Sequence, residues 1–171
     1  WKKDLSKKFK LNDKGKYLAV IHLAAKPGVR ESILNPQIYF NNNLLAFFNI
    51  LEFSRNNKIK NFLYASSSSV YGNLKNSKAS EDIKNLNPLS FYALTKYFNE
   101  KIDKYYSDVY KLNTVGLRFF SIYGSYGRDD MAYYKFVKSI IKGKNIDLYN
   151  HGNMQRDFTY ISDIIECVIR I

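Results

Sequence analysis

Short runs of apolar residues alternate along the chain with longer stretches in which apolar positions recur at helical spacing. Residues 17–23, Tyr17-Leu-Ala-Val-Ile-His-Leu23, form a continuous apolar run of strand length, which predicts a strand covered on both faces. Asn35-Pro36 supplies an N-cap with proline at the first helical position, and predicts a helix to about residue 56 with Leu44, Phe47, Phe48 and Leu51 on one face. Residues 60–65 read as the next strand and run into Ser66-Ser-Ser-Ser69. A polar loop over residues 73–88 leads to a predicted helix over 91–110 and a third strand over 113–120. A loop carrying Gly124, Gly127 and Arg128-Asp-Asp130 precedes a predicted helix near 131–142, stopped by Gly143. A short strand over 146–149, a turn at His151-Gly-Asn153, the segment 156–160 and a last helix complete the pattern. Strands alternating with helices in this way argue for βαβ units and a parallel sheet.

Composition narrows the class. With 171 residues, 46% hydrophobic and 16% aromatic, the chain can bury one core and is too apolar for a disordered segment. Its 27 Lys and Arg against 15 Asp and Glu give a net charge of +12, which raises a nucleic-acid surface as one alternative. Yet 21 of those cations are Lys, spread along the whole chain and accompanied by 18 Asn, a bias matching an AT-rich coding background. No RNA-binding aromatic signature or zinc-finger spacing occurs, and His22 and His151 stand too far apart in sequence for a metal site. Cys167 is the single cysteine and excludes an internal disulfide. No apolar run approaches the roughly 18–20 residues of a membrane helix, and no signal-peptide pattern occurs. The expectation is a soluble cytoplasmic protein without nucleic-acid or membrane partners. Because the sequence opens on Trp1 and stops in mid-pattern at Ile171, it reads as an internal segment of a longer protein.

The sharpest local feature is Tyr92-Ala-Leu-Thr-Lys96. At spacing i, i+4 a phenol and an ammonium share one helix face, and a nearby cation favours phenolate, so the tyrosine can act as a base. In a chain with 15 Tyr this spacing also arises by chance. The serine cluster adds context: it follows the apolar run Phe62-Leu-Tyr-Ala65, and so falls at a strand end, where open parallel sheets build ligand crevices.

Five segments in order resemble the extended short-chain dehydrogenase/reductases, and within them the nucleotide-sugar 4-epimerases. They are Val20-Ile-His-Leu-Ala-Ala25, Ala65-Ser-Ser-Ser-Ser-Val-Tyr-Gly72, Tyr92-Ala-Leu-Thr-Lys96, Leu117-Arg-Phe-Phe120 and Gln155-Arg-Asp-Phe-Thr-Tyr160. Gly28-Val-Arg30, Gly127-Arg128 with Asp130-Met131, and Tyr149-Asn-His-Gly-Asn-Met-Gln155 resemble signatures of the UDP-glucuronate 4-epimerases. The fold implied is α/β, a partial Rossmann-type doubly wound parallel sheet over 1–125, followed by the start of a smaller substrate-binding region over 126–171.

The resemblance implies 4-epimerisation of a UDP-sugar with NAD as cofactor, through a transient 4-keto sugar. Tyr92 would take the proton of the sugar 4-hydroxyl, Lys96 would lower its pKa and bond the nicotinamide ribose, and Ser67 would hydrogen-bond O4. Leu23, Ala24, Ala25, Asn43 and Phe120, with Tyr92 and Lys96, would contact NAD. Ser68, Ser69, Ser121, Arg128, Arg30 and Arg156 would line the substrate site, with Arg156 on the UDP pyrophosphate and Arg128 and Arg30 as candidates for a uronate carboxylate. A solvated helix-face role for Asn43, a surface pair of Arg156 with Asp157, and a loop-capping role for Arg128 beside Asp129 and Asp130 are the competing readings. Asp129 stands where the subgroup usually has proline. Ser68-Ser69 occupies the place of the acidic pair of the related dehydratases, which argues against dehydration. The family's glycine-rich pyrophosphate turn does not occur in the sequence, so the chain alone is expected to be inactive. A homodimer of the complete enzyme is expected, paired through two long helices. UDP-glucuronate leads; UDP-glucose or UDP-N-acetylglucosamine remain alternatives, as does a non-catalytic fragment or basic nucleic-acid-binding module.

Overall fold

The computed structural model describes residues 3–7, 15–74 and 78–171. The expected loop over 73–88 therefore lies partly outside the described residues. Two compact units divide between Phe119 and Phe120, so the expected division at 125/126 falls within the second unit.

In the first unit, β1 (Ala19–His22), β2 (Asn61–Ala65) and β3 (Asn113–Leu117) form a three-stranded parallel sheet in the order β1-β2-β3. Register runs from Ala19 opposite Asn61 and from Asn61 opposite Asn113. Short helices α1 (Val29–Leu34) and α2 (Pro36–Tyr39) follow β1, and a π-helical stretch, Phe40–Leu45, joins α2 to α3 (Ala46–Asn56). The long α4 (Phe91–Tyr110) connects β2 to β3. Ser90 begins α4 as a side-chain cap, its Oγ accepting from the Ala93 N–H at 3.1 Å, and Lys111 ends it in the left-handed region.

The core is a cluster of Phe47, Ile50, Leu51, Phe62, Tyr64, Tyr106 and Leu112. Each of these large side chains contributes roughly 1.5–3 kcal/mol by leaving water. The Phe47 ring meets Tyr64 edge-on at 4.9 Å. Gly116 lies opposite Tyr64 in the ladder, and a Cβ there would sit 2.4 Å from the Tyr64 hydroxyl, so glycine is what lets that phenol cross β3 to donate to Asp103 Oδ2 at 3.0 Å.

Three local expectations need correction. The central strand β2 is buried across Phe62, Leu63 and Tyr64, but β1 is buried only on the face carrying His22; Ile21 and the following Leu23 are exposed. An apolar run reports the tendency to be covered, whereas coverage needs a neighbour on each face. Phe48 is also exposed: the buried face of the helical run is Tyr39, Asn43, Ala46, Phe47, Ile50, Leu51 and Ser54, which recur at helical spacing, and Phe48 falls beyond the edge of that face. The third strand stops at Leu117 rather than 120.

The second unit is a parallel pair, β4 (Ser121–Tyr123) with β5 (Phe158–Tyr160), together with α5 (Ala132–Ile141) and α6 (Ile161–Arg170). No strand forms over 146–149; a turn, Tyr149–Gly152, stands there, with Asn150 and His151 at φ 49° and 52°. The sheet of this unit consists of β4 and β5, and residues 146–148 pair with neither edge of it.

Candidate active site

The C-terminal ends of β1 and β2 lead into the expected segment 23–25 and the serine loop, while Arg30, Asn43, Tyr92 and Lys96 are carried by helices. Beyond β2 the chain enters the serine loop, Ser66 and Ser67 leading into a 3-10 turn, Ser68–Tyr71. Two bonds prolong the parallel ladder past the strand ends: Ser66 N–H donates to the Leu117 carbonyl at 2.8 Å, and Ser68 N–H to the Phe119 carbonyl at 2.9 Å. Gly72, at φ 68°, closes the loop against the backbone of Asn87, which a Cβ would strike at 1.9 Å. No other residue type fits that position without displacing the backbone.

Ser67 is 9% exposed and caps the turn. Its Oγ accepts from the Ser69 N–H at 3.2 Å and from the Ser69 hydroxyl at 2.8 Å. A hydroxyl has two acceptor positions and one proton. With both acceptor positions taken, the Ser67 proton remains for donation to an oxygen outside the loop.

Helix α4 lies over the end of β2. Lys96 is 4% exposed, and its Nζ donates to the carbonyl of Ala65, the residue before the serine loop, at 2.6 Å. Burial lowers the Lys96 pKa from 10.5 to about 8, so the amine is still largely charged at pH 7. Tyr92 stands one turn earlier on α4, half-buried. Its backbone N–H donates to Ser32 Oγ at 3.0 Å, and its ring packs edge-on to Tyr39 at 6.3 Å. Tyr39 in turn donates to the Pro27 carbonyl at 2.8 Å, fixing the turn after β1.

Asn43, in the π stretch, is 1% exposed, which corrects the solvated helix-face reading. Its Oδ1 accepts from the Lys26 N–H at 2.7 Å, while Nδ2 donates to the Lys26 carbonyl at 3.1 Å and to Thr95 Oγ1 at 3.2 Å. Asn99 Nδ2 donates to the Asn43 carbonyl at 3.2 Å. Asn43 therefore ties the segment after β1 to α4. The segment itself, Leu23, Ala24 and Ala25, is open to solvent apart from a half-buried Ala25, and Arg30 is exposed on α1.

The remaining expected residues belong to the second unit. Phe120 is 37% exposed, and Ser121 opens β4 half-buried. The Arg128 fork is engaged by Asp130 at 2.8 and 2.6 Å, the loop-capping geometry. Arg156 is exposed and donates to the Gln155 carbonyl at 3.0 Å; Asp157 is not its partner among the described residues.

Sequence reading weighed His22 only as a metal ligand and passed over Ser32, Thr95, Asn99, Glu100 and Arg118. An arginine between Leu117 and Phe119, and a glutamate one turn after Lys96 on the same helix face, were the available signals. His22 is 8% exposed, and its pKa falls from 6.5 to about 4, first through burial and second through the charge of Lys96. The unfolded chain accepts that proton near pH 6.5 and the folded one only near 4, so this histidine's contribution to stability is lost as pH falls through that window. The loss is on the order of 3 kcal/mol. Urea unfolding at pH 7, 5 and 4 is expected to show this slope in the wild type and to lack it in His22→Gln; equal slopes would contradict it.

A parallel sheet with a serine loop at its C-terminal edge, under a helix carrying Tyr-x-x-x-Lys, defines a short-chain dehydrogenase/reductase. Residues 3–171 match the family model described as the NAD dependent epimerase/dehydratase family, and the chain belongs to that family. It is 53% identical over 153 residues to Protein CapI of Staphylococcus aureus, covering 89% of this chain and 46% of the relative. It is 46% identical over 151 residues to UDP-glucuronate 4-epimerase 4 of Arabidopsis thaliana, covering 86% and 35%. The crystal structure of UDP-glucuronic acid 4-epimerase from Bacillus cereus with UDP-glucuronic acid and NAD superposes with a TM-score of 0.84 at 37% identity, covering 89% of this chain and 48% of that one. The fold is thus the α/β, Rossmann-type fold that the sequence predicted. The chain spans about half the length, or less, of the curated relatives it matches.

Proposed function

We propose that the protein to which this chain belongs epimerises a UDP-sugar at C4 with NAD, and that UDP-glucuronate is the substrate. The observation that carries this reading is the buried Lys96 ammonium, held on the Ala65 carbonyl at the mouth of the serine loop one helical turn from Tyr92. Lys96 places one of its three N–H donors among the described residues, leaving the others for ligand hydroxyls such as those of a nicotinamide ribose. The chain thus fits the nicotinamide end of the dinucleotide and carries no glycine-rich cradle for the pyrophosphate. Bound NAD supplies reversible hydride acceptance at the sugar C4.

The chain's own residues supply position and proton transfer. Tyr92, as phenolate, takes the 4-hydroxyl proton and returns it; Lys96 holds that negative charge by Coulomb attraction across a low-dielectric site. Ser67 donates its remaining proton to O4. Ser68 and Ser69 would line the sugar, and Asn43 fixes the cofactor-side turn at Leu23, Ala24 and Ala25; by resemblance to the family, Phe120 is proposed as a NAD contact and Ser121 as a substrate contact. Arg156, with its fork exposed, suits the UDP pyrophosphate. Arg30 or Arg128 would receive the uronate carboxylate. The Arg128–Asp130 pair favours a second reading, a neutral UDP-hexose or UDP-N-acetylhexosamine, because the guanidinium is already neutralised. A homodimer is proposed through the outer faces of α3 and α4, where Phe48, Phe98 and Tyr105 stay exposed.

The test is proton NMR of UDP-glucuronate, UDP-glucose and UDP-N-acetylglucosamine incubated with NAD and the complete protein, with the 171-residue chain as a second arm. Inversion at C4 of UDP-glucuronate by the complete protein alone is expected. Inversion of a neutral sugar in preference selects the second reading, and no inversion of any sugar overturns both.

A further inference from the structure

Beside the serine loop lies a half-buried polar strut that the reaction itself does not require. Glu100 Oε1 accepts from the Ser66 hydroxyl at 2.6 Å and from Arg118 Nε at 2.9 Å, while Oε2 accepts from Arg118 Nη2 at 2.8 Å. The pair is largely enclosed, with side-chain exposures of 20% for Arg118 and 15% for Glu100. On its other side the guanidinium lies over the ring of Tyr71, 4.9 Å from the centroid, at the far end of the 3-10 turn. The strut therefore grips the loop at both ends, Ser66 through a hydroxyl and Tyr71 through a ring. Ser67 sits between them.

An enclosed ion pair of this kind gives weak net stability, because two charges lose their hydration to form it. What it does give is direction: a bidentate fork fixes the plane of the carboxylate, and the carboxylate fixes the Ser66 hydroxyl. One peptide further on is the Ser67 hydroxyl, whose proton must meet the sugar oxygen within hydrogen-bond reach. A displacement of about 1 Å at such a group costs up to about 10²-fold in rate.

We propose that Glu100 and Arg118 are positioning residues for the proposed epimerisation, acting through Ser66 and Tyr71 to hold the Ser67 hydroxyl on the sugar O4. This rests on the catalytic reading of Tyr92 and Ser67 given above. It reaches residues on α4 and after β3 that touch neither sugar nor cofactor in that reading.

The experiment compares Ser66→Ala, Glu100→Gln and Tyr92→Phe in the complete protein with NAD. Ser66→Ala severs the hydroxyl link at the Ser67 side of the loop and leaves the ion pair and its contact with Tyr71 intact, so it keeps the fold even if Glu100→Gln does not. The expected result for Ser66→Ala is a kcat about tenfold lower with KM for the UDP-sugar within about twofold. Folded Glu100→Gln is expected to lose about 10²-fold in kcat with the same KM. As a readout independent of turnover, the backbone amides at positions 66 and 68 are expected to exchange with deuterium faster in both strut variants, with α4 amides unchanged. A kcat within twofold of wild type in Ser66→Ala, with unchanged amide exchange, overturns the inference while Tyr92→Phe remains inactive. Activity in Tyr92→Phe overturns the catalytic reading instead.

Discussion

Tyr92→Phe in the complete protein is expected to lower kcat by about 10³-fold or more while leaving UDP-sugar affinity within about threefold. The substitution removes one oxygen and leaves the ring, so the edge-on packing against Tyr39 and the backbone bond to Ser32 survive. What disappears is the group proposed to take the 4-hydroxyl proton. General-base catalysis contributes typically 10²–10⁴-fold, and in the proposed mechanism the phenol also carries the charge that Lys96 stabilises, which places the expected loss in the upper part of that range. Single-turnover kinetics with UDP-glucuronate, together with calorimetric titration of the sugar nucleotide, checks both halves. Turnover within tenfold of wild type removes Tyr92 from the role of base.

Lys96→Met is expected to move activity and stability in opposite directions. Activity is expected to fall by at least about 10²-fold, because the cation proposed to favour the phenolate is gone. Stability at pH 7 rises, because burial alone holds the Lys96 pKa at about 8 against an ordinary 10.5. A depressed pKa means that between pH 8 and 10.5 the unfolded chain holds a proton the folded chain has released, so wild-type stability climbs as pH rises through that window. Below pH 8 the folded protein carries the desolvation cost in full, on the order of 3 kcal/mol, offset in part by the bond to the Ala65 carbonyl. Methionine fills a similar volume with no charge to desolvate. Denaturant unfolding of the nucleotide-free protein at pH 7 and 10 is the check: the gap between variant and wild type should be largest at pH 7 and shrink at pH 10. A gap that does not change with pH would show that Lys96 is not desolvated in the folded state.

Helix α4 shows why some of the site was legible. Its bounds were readable because Ser90 caps it and the apolar face repeats at helical spacing, both local properties, and Tyr92 and Lys96 then share a face by helix geometry alone. The serine loop was readable for the same reason, since an apolar strand runs directly into it. Asn43 shows the limit. The polar composition of three consecutive asparagines masks which one is buried, and what Asn43 bonds to is settled only by its contacts with Lys26 and Thr95. The absent strand over 146–149 and the open face of β1 failed likewise, because each depends on a partner elsewhere in the chain.

The amino-acid sequence alone determined the alternation of strands and helices, the parallel sheet, the family, and the Tyr-x-x-x-Lys pair with its serine loop. These are encoded by periodicity, caps and ordered segments, which act over a few residues. Tertiary structure alone decided that Lys96 is dehydrated against Ala65, that both acceptor positions of Ser67 are filled by Ser69, and that Glu100, Arg118 and Ser66 lock together across three separate elements. Burial and hydrogen-bond geometry are properties of surroundings, and the surroundings of each residue exist only once distant parts of the chain have packed.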